Sequence, residues 1–356
     1  MVKSIGTAGS SETAGETCPW NASAAAGGHT SRPRIALLSN PKSSGNLAKL
    51  PRIREYCADH PDVFHYEVEH AYQIGEAMKV IGRVRPTVLA INGGDGTVQA
   101  VLTEIYNGSH FVGDPPPVAV LPSGKTNLIA LDLGARGDPI EALERLIELA
   151  RTDLKPFTVQ RELIALRHGH GDGEDRPTIG MFLGGAALAD SMIYCREKIY
   201  PLGLPNSVAH VLAAFLSFMK LLLGLRASFL PPDTAPLSLS MSDERESLNG
   251  RFSLLMVTTL ERVLLSMDLG DRRAGALKLL AVEHRPDSAL GAFVASVAGK
   301  LGRSPMRGVH FEQADEILIE SESSRVLLDG ETFRAEVGRP IRLCTAQPLS
   351  FVKLAA

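Results

Sequence analysis

The sequence predicts an α/β domain on a parallel sheet, followed by a second domain that is mainly β. Three observations point there. From residue 35 to about residue 150, short apolar runs alternate with stretches of helical periodicity. Past residue 156 strand-like runs predominate, parted by Gly, Asp, Ser and Pro clusters. The length, 356 residues, exceeds one ordinary domain. The expected divisions are a disordered tail over 1–32, an α/β domain over 33–155 and a mainly β domain over 156–356. The last strand has the option of packing back on the first domain.

The tail is rich in Ser, Ala, Gly and Thr and holds no apolar run, so it reads neither as a secretory signal nor as a folding segment. Strands are then expected at 35–38, 64–68, 87–91 and 118–121, with helices at 47–59, 71–84, 98–106, 127–133 and 139–150. Strands alternating with helices imply a parallel sheet covered on both faces. In the second half, strands are expected at 157–167, 178–183, 237–241, 252–258, 277–282, 316–320, 325–328 and 341–344. Helical insertions fall near 207–224 and 288–302.

Charge and cysteine content exclude several classes. Lys and Arg number 37 against 40 Asp and Glu, a net charge of −3, which lacks the cation excess of a nucleic-acid coat. None of the four cysteines forms a CxxC pair, which argues against zinc ribbons and thioredoxin-like redox sites. Disulfides are not expected, and a reducing cytoplasm is the natural compartment.

The most apolar segment, 208–225, is at the low edge for crossing a bilayer and carries His210 and Lys220. Val208, Leu212, Phe215, Met219 and Leu222 recur at helical spacing, which favours an amphipathic helix packed on the core. A helix lining an apolar entrance or resting on a membrane surface is the second reading.

The chemistry concentrates in three loops. Residues 92–97, NGGDGT, follow the strand TVLAI and precede a helix. Gly93, Gly94 and Gly96 allow positive φ and close backbone approach to a ligand, and amides at a helix start suit phosphate oxygens. Asp95 beside such a cradle is a metal-linked group or a general base. Residues 39–46 (SNPKSSGN) and 121–127 (LPSGKTN) are two further polar loops after strands. All three lie at the C-terminal ends of parallel strands, where open α/β sheets bind ligands. Gly124-Lys125-Thr126 resembles the tail of a P-loop, but the required earlier glycine is Ala119, so that reading fails. Residues 326–331 read VLLDGE. Strand alternation would put Asp329 and Glu331 on one side, as base and nucleotide contact; a plain hairpin turn is the other reading.

Together these segments resemble the diacylglycerol kinase catalytic-domain family of lipid kinases, which includes sphingosine kinases and bacterial lipid kinases. The resemblance rests on NPKSSGN at 40–46, GGDGT at 93–97, LPSGKTN at 121–127 and DGE at 329–331, in order and at approximate spacing. It implies an α/β nucleotide domain similar to those of NAD kinases and phosphofructokinases, then a β-sandwich domain, with the active site between them. It further implies Mg²⁺-dependent transfer of the ATP γ-phosphate to the hydroxyl of a lipid such as diacylglycerol. The enzyme would work peripherally at the inner face of a membrane, and a homodimer is compatible with it.

Carried over by motif, the nucleotide would meet Asn40, Ser43, Gly93, Gly94, Gly96, Thr97, Gly124, Thr126 and Asn127, with Glu331 beside it. Asp95 would act near the phosphates or hold the metal, and Asp329 is a candidate base. The resemblance leaves open which aspartate takes the proton. Departures are Ser44 between Ser43 and Gly45, and Lys125, Thr126 and Leu128 where the family often has Thr, Gly and Asp. Lys125 would add a phosphate-directed cation. Two rivals are an NAD kinase-like small-molecule kinase and a non-catalytic nucleotide- or lipid-binding regulator.

Two further clusters have plainer readings. His168, His170, Asp172, Glu174 and Asp175 fit a solvated hairpin loop better than a metal site, since glycines between them prevent preorganisation. Lys300, Arg303 and Arg307 follow an apolar helix containing Leu290, Phe293, Val294 and Val297. Cations there stabilise a helix C-terminus; a membrane-facing basic rim is the alternative.

Overall fold

A computed structural model describes residues 34–169, 176–203, 206–224, 229–241, 247–261, 277–302 and 304–355. The tail, most of the 168–175 cluster and Arg303 lie outside these residues. The first half follows the expected alternation. Its strands are β1 (Ile35–Ser39), β2 (Val63–Glu67), β3 (Val88–Gly93) and β4 (Val118–Pro122). Its helices are α1 (Asn46–Asp59), α2 (Ile74–Val84), α3 (Asp95–Asn107), α4 (Leu128–Asp132) and α5 (Pro139–Thr152). The strands pair in parallel in the order β2-β1-β3-β4. Every residue of β1 and β3 is buried, as strands covered on both faces must be.

The second half adds β5 (Thr158–His168), β6 (Thr178–Gly180), β7 (Phe182–Gly185), α6 (Ala186–Tyr194), α7 (Asn206–Leu223), β8 (Leu237–Met241), β9 (Leu248–Gly250), β10 (Phe252–Thr258) and β11 (Leu277–Glu283). It ends with α8 (Pro286–Val297), β12 (Val309–Ala314), β13 (Glu316–Glu320), β14 (Arg325–Leu328), β15 (Glu331–Arg334) and β16 (Ile341–Val352). Strands β12-β11-β10-β7-β14-β15 form a six-stranded sheet. The remaining strands join the parallel set in a ten-stranded sheet, where β16 lies between β4 and β13 and also pairs β5.

The two sheets face one another as a β-sandwich. Their shared core takes Ile164, Leu239 and Ile317 from the large sheet and Leu183, Val257 and Val326 from the small one. Alternating burial along β8 and β13 shows the one-faced pattern of such a layer. Residues of β16 also enter the core of the parallel half, where Phe351 and Val352 are fully buried.

Four expectations need correction. Helix α3 starts at Asp95 rather than at residue 98, so Gly94 is its N-cap and Gly96 lies in its first turn. Strand β16 runs to Val352 instead of ending at 344, because a bulge between Ala346 and Leu349 accommodates Pro348. Strands β9, β12 and β15 and helix α6 were not foreseen. Among the described side chains of α7 the buried ones are Ala209 and Ala213, whereas Phe215 is exposed; Val208 and Leu222 lie outside them. Among the described residues no helix is long and apolar enough to cross a membrane.

Candidate active site

The three polar loops converge at the C-terminal ends of β1, β3 and β4. Under them lies a buried polar lattice. Asn92 Nδ2 donates to Ser39 Oγ at 2.9 Å, and Ser123 Oγ donates to Asn92 Oδ1. Asn46 Nδ2 donates to the carbonyls of Asn40 (2.8 Å) and Asn92 (2.9 Å). Ser43 Oγ and the Gly45 N–H both donate to the Ser123 carbonyl. The first and third loops are thereby tied across the second. Sequence reading missed Asn92 and Ser123 as individuals. Their signal was a polar residue at the mouth of an otherwise fully apolar strand.

None of Gly93, Gly94, Gly96 and Gly124 has positive φ, contrary to expectation. They serve close approach instead. A Cβ on Gly124 would stand 2.6 Å from Gly94 Cα, so the second and third loops cross backbone on backbone. A Cβ on Gly93 would strike the Thr97 side chain at 2.7 Å. Thr97 Oγ1 in turn accepts from Asn40 Nδ2 at 2.9 Å, joining the first loop to the second.

The DGE segment reaches the same place from the far end of the chain. Asp329 and Gly330 have φ of 45° and 95°, as a two-residue hairpin turn between β14 and β15 requires. The turn reading therefore holds and the alternation argument does not. The carboxylate of Asp329 accepts the N–H groups of Met181 (2.9 Å) and Phe182 (3.0 Å). Gln99 of α3 donates to the Leu328 carbonyl at 3.0 Å, which fastens the turn to the helix. Glu331 lies by Gly96, whose Cβ would meet Glu331 Oε1 at 3.1 Å.

Burial pushes the pKa of Asp329 well above the ordinary carboxylate range, and the neighbouring Asp95 charge adds to this. Burial also raises Asp95, opposed by backbone N–H groups of 127–129; Leu128 N–H lies 3.4 Å from Oδ2. Two carboxylates thus share one site, each inclined to hold a proton.

Comparison with known proteins shows what this chain is similar to. Residues 34–159 match the family model described as the diacylglycerol kinase catalytic domain. This segment resembles that kinase domain family. A structure described as a diacylglycerol kinase from Bacillus anthracis strain Sterne is 15% identical, covering 91% of this chain and 98% of its own, with a TM-score of 0.59. A crystal structure from the same organism, provisionally described the same way, has equal identity and coverage and a TM-score of 0.61. These likenesses show a shared fold across both halves. No curated protein matches the sequence.

A cavity of about 300 Å³ opens beside the loops. Gly94, Gly96, Thr97 and Glu331 line one part of it, and Val68, Ala71, Ile74 and Ala100 give it an apolar wall. Asn40, Ser43 and His70 complete it. Other expected contacts are differently engaged. Asn127, at φ 55°, folds its amide back on Gly124, accepting its N–H at 2.6 Å. Thr126 is exposed. Lys125 Nζ lies 4.1 Å from the centroid of the Tyr200 ring. Lys42 Nζ lies 3.0 Å from His70 Nε2 and 3.3 Å from Glu69. Arg196 donates to the Gly330 carbonyl at 3.0 Å, holding the outer side of the hairpin.

Proposed function

We propose that the chain is an ATP-dependent lipid kinase that transfers the γ-phosphoryl group to a hydroxyl of diacylglycerol or a related lipid. The observation that carries this reading is Asp329, brought by the hairpin to the first turn of α3 beside Asp95. The apolar wall of the cavity suits the nucleotide base, and the glycine-lined part with Thr97 suits the phosphates. In the transfer, the acceptor oxygen forms a bond to the γ-phosphorus as the bond to the β-γ bridging oxygen breaks and ADP leaves. The acceptor proton goes to Asp329, whose raised pKa makes its carboxylate a stronger base. The two amides that hold its carboxylate fix the acceptor position.

The residues present fit a divalent cation: two adjacent carboxylates lie next to a phosphate-sized cavity, and their mutual repulsion is relieved by positive charge. Asp95 would hold Mg²⁺ there, with waters and phosphate oxygens as its other partners. When bound, Mg²⁺ neutralises phosphate charge.

The test is incubation with γ-labelled ATP and a lipid extract. Label should enter the organic phase, and mass spectrometry should find a lipid heavier by one phosphate. Label confined to a water-soluble product would favour the NAD kinase-like rival, and absence of transfer the regulator. Asp329→Asn and Asp95→Asn should each lower turnover by about 10²-fold or more with the circular dichroism spectrum retained. Full activity in either would overturn its role.

A further inference from the structure

Helix α8 is amphipathic the wrong way round for a helix that only packs on its own core, and α7 adds exposed apolar residues beside it. In α8 the residues turned inward are small, Ser288, Ala289 and Ala292, while Leu290, Phe293, Val294 and Val297 face outward. Phe293 is 58% exposed and Val297 75%. Among the described side chains of α7, Ala209 and Ala213 are buried with Leu212 and Leu216 packed beside them, whereas Phe215 (56%) and Leu223 (60%) are exposed. Phe215 and Phe218, three residues apart, are neighbours on the outward side of α7, and the Phe218 and Phe293 rings meet at 5.7 Å. Phe215 and Phe218 therefore extend the outward stripe of α8 into one apolar surface. A patch of this kind marks an interaction site rather than ordinary surface.

Charge at its border selects the partner. The outward stripe of α8 carries no charged side chain, and exposed Lys300 and Arg307 follow it. The acidic residue at the start of the helix, Asp287, is paired with Arg285 at 3.1 Å. An apolar face bordered by lysine and arginine complements an anionic bilayer, whose headgroups attract cations while its interior accepts aromatic and aliphatic side chains. We infer that the α7–α8 face is a docking surface for anionic membranes, with Phe293 and Val297 entering the interfacial layer and Lys300 and Arg307 reading the headgroups. This rests on the lipid-kinase reading only for its purpose, which is access to an acceptor that resides in a bilayer.

The experiment is flotation of the full chain with vesicles of phosphatidylcholine, alone or mixed with phosphatidylglycerol. The protein should float with the mixed vesicles. Phe293→Ser combined with Val297→Ser should lower the bound fraction roughly tenfold or more. Lys300→Glu combined with Arg307→Glu should remove the preference for phosphatidylglycerol. These side chains are exposed, so melting temperatures should be unchanged. Phosphorylation of a short-chain acceptor dissolved below its micelle concentration should be unchanged too.

Wild type that stays at the bottom of the gradient, or a Phe293/Val297 variant that floats like wild type, would overturn the assignment. So would sedimentation equilibrium showing a dimer that Phe293→Ser converts to monomer with no change in flotation, since a second copy would then be the occupant. Vesicle binding without any lipid phosphorylation would refute the proposed function and leave the surface standing. Asp329→Asn should show the converse separation, floating normally while inactive.

Discussion

At the scale of single residues, the site is set by what is missing as much as by what is present. Gly180 makes the case. A Cβ there would lie 2.5 Å from Asp329 Oδ2 and 2.7 Å from the Leu328 side chain. Gly180→Ala should therefore displace the carboxylate from its amides, lowering turnover about 10²-fold with little change in nucleotide KM. Gly124→Ala should act in the opposite way. It pushes the third loop off Gly94, so the loss should fall first on ATP binding, read by titration calorimetry. Ser123→Ala removes the donor to Asn92 in a fully buried place and should cost about 1–3 kcal/mol of stability by denaturant titration. The motif glycines, Asp95 and the DGE pair were legible in the sequence because glycine and carboxylate carry local chemistry. Asn92, Ser123 and Gly180 were not. Their roles exist only after residues tens of positions apart, or 149 apart for Gly180 and Asp329, are brought together.

At the scale of elements, the caps and turns explain both successes and misses. Helix α5 begins with Asp138 accepting the Ile140 N–H at 2.9 Å ahead of Pro139, a start signal visible in the sequence. That hydrogen bond, aided by Lys49, lowers the pKa of Asp138. A folded pKa below the unfolded one gives stability that is present above the unfolded value and lost as pH falls through the folded value. Asp138→Ala should thus cost about 1 kcal/mol near neutral pH. The gap from wild type should close in strong acid, which thermal melts across a pH series would check. Helix α3 was expected three residues late because its glycines read as loop, yet Gly96 is already helical and the bareness of Gly93 and Gly94 serves contact. The outward stripes of α7 and α8 were legible as apolar periodicity. Which face is buried was not, since Ala and Phe faces alternate on the same helix and only packing chooses between them.

At the scale of the molecule, the alternation of strands and helices was enough to read the parallel half, and the change of texture near residue 156 announced the β layers. That the last strand could pack back on the first half was legible; the length over which it joins the two was not. The joining depends on β16, which Pro348 disguises as a short strand. Its last part pairs β4 at Phe351, while Lys353 and Leu354 donate to the Phe157 and Leu133 carbonyls. Deleting residues 341–355 should therefore abolish cooperative unfolding in both sheets, seen as a broad, featureless thermal melt. Phe351→Ala alone should cost about 3–5 kcal/mol.

Strand β16 also has a consequence for timing. The free edge of β4 faces a partner that leaves the ribosome about 230 residues later. At roughly 5–20 residues per second that is a wait of about 10–50 s. Through that interval the nascent chain carries an open strand edge with the apolar wall around Leu133 and Phe157 still unroofed, a template for mispairing. Newly made chains, more than mature ones, should be the clients of folding helpers.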